Sequence, residues 1–359
     1  MAMRVHATDI PPERHSNQHV YRWHAGLMVR ALLLGFCLLL ALGVLMLVGL
    51  MLGTPQLRLP DLFNIAQGNG DRVATIVVSQ LRLPRVVLGA LAGGMLALAG
   101  VLMQDCMRNP LAGPELLGVS NGASLVMALV VIFNLPVPWD LYPVAALAGG
   151  VLAGGLVLFA MRTMADPIRL VLTGVSVGAL LYACIIAVIS LGDQNSVALL
   201  YLYLLGSLAN RTWDYVNLVW PWALVCVPCA LAMARPLNLL QLGDDVAEGL
   251  GLHVVRWRLL IVTLSAALVA AVVAACGPVG YVALVSPHIV RRIVRTSDAR
   301  QVLPVAMFTG SVLLVGADLI AKNLFDPLEL PVGVWTTVIG GPLLLLLLRR
   351  QLSRREEVR

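Results

Sequence analysis

The sequence predicts an all-α membrane protein that crosses the bilayer about ten times, in two five-helix halves of opposite orientation. Three observations predict it. Of 359 residues, 59% are hydrophobic and only 12% are charged, about half the charged share of a soluble domain. The apolar residues gather into long runs separated by short polar loops, and about 20 apolar residues in a row carry a helix across the hydrocarbon core. The basic residues, last, collect on alternate loops.

In chain order, residues 1–26 form a polar tail. The irregular spacing of His6, His15, His19 and His24 there favours a flexible tail over a metal site. The first apolar run, 27–52, is too long for a signal-peptide core and lacks a cleavage motif, so it is expected to be a span. Further spans are expected at 86–103, 116–133, 141–161 and 170–191. The piece 197–208 is too short to cross upright and is expected at the interface. A second set is expected at 216–234, 259–276, 279–294, 302–320 and 332–348, with Pro287 and His288 interrupting the shortest. The membrane domain is thus 27–350, and 351–359 is a second polar tail.

An even number of spans puts both tails on one side. With Arg30, Arg349 and Arg350 counted to the tails, the tails and the loops 104–115, 162–169, 235–258 and 291–301 hold 19 of the 25 basic residues; the opposite loops hold 6. That excess assigns both termini and residues 235–258 to the cytoplasm. It also absorbs the net charge of +6, leaving no basic face for nucleic acid. Division near residue 210 leaves five spans on each side, and an odd number makes the halves face opposite ways. Small residues inside the spans, Gly93, Gly94, Gly100, Gly149 and Gly150 among them, allow close helix approach. All six cysteines but Cys106 lie in apolar runs, so no disulfide framework is expected, and Cys226-Val-Pro-Cys229 reads as packing rather than as a redox or metal pair.

Residues 235–258 are a polar island of helical character. Leu239, Leu242, Val246 and Leu250 fall at spacings of three and four. Pro236 suits a first helical turn, Gly243 a C-terminal cap, Asp244 the cap of a second short helix, and Gly251 its end. Two short helices joined by a glycine follow, with Asp244, Asp245 and Glu248 exposed. Either this hairpin is presented to a partner, or it is a solvated connector.

No enzyme chemistry is legible. A phosphate-binding P-loop needs a lysine after its glycines, and the single lysine, Lys322, stands in Ala-Lys-Asn-Leu-Phe-Asp. If the chain uses ATP, a separate subunit must bind it with its magnesium; no cofactor is expected on this chain. Asp318 is the only acid well inside a predicted span, and serves either as an ion site or as the partner of Lys322 four residues on. Two stretches, 108–122 and 277–291, are rich in turn residues where helix is expected. Non-helical backbone at membrane depth is tolerated only where protein buries it or water reaches it, so both are either path linings or packing turns.

Several motifs resemble one family. Arg82-Leu-Pro-Arg85, Gln104, Asn109-Pro-Leu-Ala-Gly-Pro114 and Leu117-Gly-Val-Ser-Asn-Gly122 are similar to permease subunits of bacterial type II ABC importers for iron–siderophore chelates, haem and vitamin B12. So are Ser286-Pro-His-Ile-Val-Arg291, Leu330-Pro-Val-Gly333 and Gly340-Gly-Pro342. The resemblance implies a ten-span inner-membrane permease that pairs with a second permease chain, identical or related. It also implies two cytoplasmic ATPase subunits and a periplasmic substrate-binding protein. It makes Leu242, Gly243, Asp244, Ala247, Leu250 and Gly251 the ATPase-coupling segment, and Arg82 and Lys322 the cations that dock the binding protein. Arg169-Leu-Val-Leu-Thr-Gly174 matches the start of the fifth span, which puts Pro167 and Ile168 at the cytoplasmic gate. Gly206-Ser-Leu208 with Trp213, Ala275-Cys-Gly-Pro278 and Pro327-Leu-Glu-Leu-Pro331 lean towards iron(III) chelates over haem or vitamin B12. An ion-coupled transporter relying on Asp318 and a non-transporting scaffold are the rival readings.

Overall fold

The computed structural model describes residues 14–161, 167–325 and 328–356, and within them the secondary structure is helical throughout. Every run read as a span falls on a helix. In order these are α1 (Arg14–Met51), the short α2 (Leu59–Ala66) and α3 (Arg72–Ile76), then α4 (Leu83–Cys106), α5 (Val119–Ile132), α6 (Tyr142–Met161) and α7 (Pro167–Ile189). The short α8 (Gln194–Leu204) follows, then α9 (Trp213–Ala232), the paired α10 (Ala234–Gln241) and α11 (Asp244–Gly249), α12 (Val254–Cys276), α13 (Val282–Val294), α14 (Ala299–Asn323) and α15 (Val332–Glu356). Among the described residues, seven helices are long and apolar enough to cross a membrane.

The second span starts earlier than its apolar run. Asp71 caps α3 by accepting from the Val73 and Ala74 amides, and a π-helical turn at Val77–Arg82 joins α3 to α4. Pro84 explains the turn: it brings no N–H, and its ring crowds the carbonyl four residues back, so the helix widens there. Trp213 Nε1 donates to the Ser79 carbonyl in that turn at 2.8 Å. Arg82 and Arg85, expected in a loop, therefore lie on continuous helix.

Helix α4 is the axis of the bundle, buried along nearly its whole length and packed by α9, α12, α13 and α14. Small residues set these approaches. A Cβ on Gly93 would run into the Gly310 carbonyl, one on Gly310 into the Gly93 carbonyl, and one on Gly100 into Ala283. Gly93→Val or Gly310→Val is expected to destabilise the bundle by about 1–3 kcal/mol. The loss is read as a lower melting temperature of the purified protein in detergent.

Helix α8 covers most of the short apolar piece 197–208. Its face bearing Leu200 packs into the bundle against α5, and Leu208 beyond it is also buried. The turn-rich stretches prove to be short breaks between helices. The first includes Ala112, Gly113, Pro114 and Leu117, all buried. In the second, the Gly277 amide donates to the Val273 carbonyl at 2.8 Å, and Gln104 Nε2 donates to the Leu284 carbonyl at 3.2 Å. Protein, in both places, supplies the partners that lipid cannot.

Candidate functional site

Two polar clusters mark opposite ends of the bundle. At one end, α10 and α11 form the hairpin expected from residues 235–258. Gly243 joins them at φ +111°, a region that L side chains rarely adopt. Gly251 closes α11 at φ +84°: its amide donates to the Glu248 carbonyl and the Leu252 amide to the Ala247 carbonyl, both at 2.9 Å. This is a Schellman cap, which satisfies carbonyls that the helix end leaves free.

Leu237, Leu240 and Ala247 are fully buried and fix the base of the hairpin. Leu239 is half-buried, whereas Leu242, Val246 and Leu250 are 58%, 50% and 60% exposed, beside the exposed acids Asp245 and Glu248. The hairpin thus offers a small apolar face on a rigid, glycine-capped support. Side-chain bonds hold α10 to the start of α14: Asn238 Nδ2 donates to Asp298 Oδ1 at 2.6 Å, the Ala299 amide to Asn238 Oδ1 at 2.8 Å, and Gln241 Nε2 to the Ser297 carbonyl at 3.1 Å.

Asp244 departs from its expected role. Gly243 occupies the cap position, and Asp244 is the first residue of α11, its carboxylate turned inward. Arg258 Nη2 donates to Asp244 Oδ1 at 2.9 Å and to Oδ2 at 3.1 Å, and Arg108 Nη2 donates to Oδ1 at 3.1 Å. An adjacent buried network joins two motif residues distant in sequence. Arg291 Nη1 donates to Gln104 Oε1 at 2.6 Å, Arg291 Nη2 to Asp105 Oδ1 at 2.8 Å, and Gln104 Nε2 to the Leu284 carbonyl at 3.2 Å. Asp105 and Arg108 were not singled out from sequence, although a charge at the end of an apolar run is a signal in itself.

At the opposite end, Arg82 and Lys322 converge on the end of α1 and the loop after it. Arg82 donates to the Leu50 carbonyl at 2.7 Å and the Pro55 carbonyl at 2.6 Å, and Lys322 Nζ donates to the Leu52 carbonyl at 2.9 Å. Arg82 is 4% exposed, so its charge is directed onto backbone carbonyls. Asp318 does not pair with Lys322, as spacing had suggested. Arg85 holds it with two bonds, Nε to Oδ2 at 2.8 Å and Nη2 to Oδ1 at 3.0 Å, and reaches Glu329 through Nη1 at 2.8 Å. The planar guanidinium offers the fork that a carboxylate accepts, which a lysine ammonium lacks. Pro167 and Ile168 open α7, but their side chains lie outside the described residues. No three His, Cys, Asp or Glu side chains gather as a metal site among the described residues.

Comparison with known proteins identifies the fold. The model of the FecCD transport family matches residues 38–350. The chain belongs to the FecCD transport family. Among its relatives is the Fe(3+) dicitrate transport system permease protein FecD of Escherichia coli, 42% identical over 76% of this chain and 85% of that one. The hemin transport system permease protein HmuU of Yersinia pestis is 37% identical, covering 90% of this chain and 97% of its own. A solved structure described as an inward-facing conformation of a metal-chelate type ABC transporter superposes with a TM-score of 0.78 at 29% identity, covering 88% of this chain and 98% of that chain. In this FecCD-family chain, the hairpin and the cation pair are therefore features of a transport protein.

Proposed function

We propose that the chain is the membrane permease subunit of an ABC importer that carries an iron(III) chelate across a bacterial inner membrane. One observation carries this beyond family membership: an exposed apolar face, Leu242, Val246 and Leu250, on a glycine-capped hairpin in a sequence with no P-loop. Such a face on a rigid support suits a groove on another protein, and the missing nucleotide site requires that protein to be the ATPase. Two ATPases and a second permease chain, identical or related, complete the proposed assembly. Ten spans in two inverted halves, with both termini in the cytoplasm, belong to the same reading; the excess of basic residues on one set of loops supports it.

A periplasmic binding protein would dock at the opposite end, where Arg82 and Lys322, 240 positions apart on two helices, both bond the loop after α1. Exchange of both for glutamate is expected to weaken binding-protein affinity at least about tenfold, since two attractions become repulsions. Unchanged affinity in a titration with the purified complex contradicts the docking role. Pro167 and Ile168 are proposed to stand at the cytoplasmic gate.

Relatives named for ferric dicitrate, ferric enterobactin and achromobactin support an iron(III) chelate as cargo. Haem is the second reading, favoured by the hemin permease relative that matches nearly end to end. The ion-coupled rival is disfavoured because Arg85 occupies both oxygens of Asp318. Purification from the native host tests the proposal: an ATPase, a second permease and a binding protein charged with an iron(III) chelate are expected to co-elute. A chain that elutes with no ATPase contradicts it.

A further inference from the structure

We infer that Asp244 is a positioning residue, the joint through which motion of the hairpin reaches the two most buried helices of the bundle. This rests on the hairpin being the ATPase contact, and assigns within it a residue that faces away from that partner.

The two halves of the hairpin are anchored differently. Helix α10 is fixed by apolar packing through Leu237 and Leu240, and by the bonds of Asn238 and Gln241 to the 297–299 segment. Helix α11 has six residues and one fully buried side chain, Ala247. Its polar attachment is the Asp244 carboxylate, which takes one cation from the second turn of α12 and one from the segment just after α4. Those are the helices with the largest buried share, 72% for α12 and 83% for the α3–α4 span.

The two cations differ in a way that gives direction to the joint. The Arg258 side chain is 3% exposed and spans both carboxylate oxygens, whereas the Arg108 side chain is 40% exposed and meets one. The Arg258 guanidinium is shielded from water and meets both oxygens through one nitrogen, whereas the Arg108 pair is screened and free to exchange. Arg108 also stands at φ +50°, at the turn that ends α4. A displacement of Gly243 and Asp244 therefore pulls on α12 firmly and on the end of α4 loosely. Both helices are close-packed, and such packing shifts between discrete arrangements rather than deforming continuously.

A joint and an ATPase contact predict different defects. Asp244→Asn keeps size and hydrogen-bonding capacity but removes the charge that holds two guanidinium groups. In the complete complex, reconstituted in liposomes, chelate carried per ATP hydrolysed is expected to fall at least about fivefold. Asp244→Glu is expected to recover part of that ratio, and Arg258→Lys, which keeps the charge on a shorter side chain that does not reach as far, to fall between the two. Arg108→Gln is expected to change the ratio less than Arg258→Lys. If Asp244→Asn fails to assemble, the comparison of Arg258→Lys with Arg108→Gln carries the test. A ratio equal to the unaltered protein's in Asp244→Asn, or equal effects of the two arginine changes, overturns the inference. Failure of the underlying reading shows separately, as an ATPase that still binds Leu250→Asp.

Discussion

Leu250→Asp is expected to detach the chain from its ATPase, and Leu242→Asp with Leu250→Asp to abolish uptake. Leu242, Val246 and Leu250 are the large apolar side chains that the hairpin leaves open, while its buried side, Leu237, Leu240 and Ala247, already faces the bundle. Burying one leucine is worth about 1.5–3 kcal/mol. Seating an aspartate in an apolar groove adds the cost of desolvating a charge. A loss of about 3 kcal/mol per site is roughly a hundredfold in affinity. Because both leucines point outward, the permease itself is expected to fold and melt as before. Co-purification of the ATPase with each variant, beside a melting curve of the permease alone, checks both halves of the prediction.

Arg85→Met is expected to have the largest effect on stability. Asp318 is 8% exposed and receives two bonds from Arg85, so removal of the arginine strands a buried carboxylate. Breaking such a pair from one side costs about 3–5 kcal/mol. Replacing both partners is a different change, because two apolar side chains of similar size need no compensation. The double variant Arg85→Met with Asp318→Leu is accordingly expected to recover most of the loss. Glu329 also loses its bond in either variant, but its side chain is 38% exposed and water substitutes. Melting temperatures of the two single variants and the double variant measure the coupling. Purely additive effects contradict the ion pair.

The same residues explain what the sequence made legible. The hairpin could be read because a helix end that needs φ > 0 selects glycine locally: Gly243 and Gly251 stand where the backbone turns left-handed. The apolar runs were legible for a related reason, since lipid imposes its requirement on consecutive residues. Pairings across the fold leave no such trace. Asp318 lies four residues from Lys322 but 233 from Arg85, and the helix packing, not the spacing, chose the arginine. Asp244 looked like a cap because its neighbours are those of a cap, yet the cations that claim it lie 14 and 136 positions away. The start of the α3–α4 span was obscured because Ser79, Gln80 and Arg82 read as loop, while the partners of Ser79 and Arg82 sit on α9 and on the end of α1 with the loop after it.

Reconstitution tests the central claim most directly. The purified permease in liposomes, with a chelate-loaded binding protein on the outer side, is compared with and without the ATPase and ATP inside, and with an imposed proton or sodium gradient in their place. Accumulation of labelled iron(III) chelate is expected only when ATPase and ATP are both present, and is expected to vanish with the Leu242→Asp and Leu250→Asp pair. Accumulation driven by the ion gradient in the absence of ATPase contradicts it.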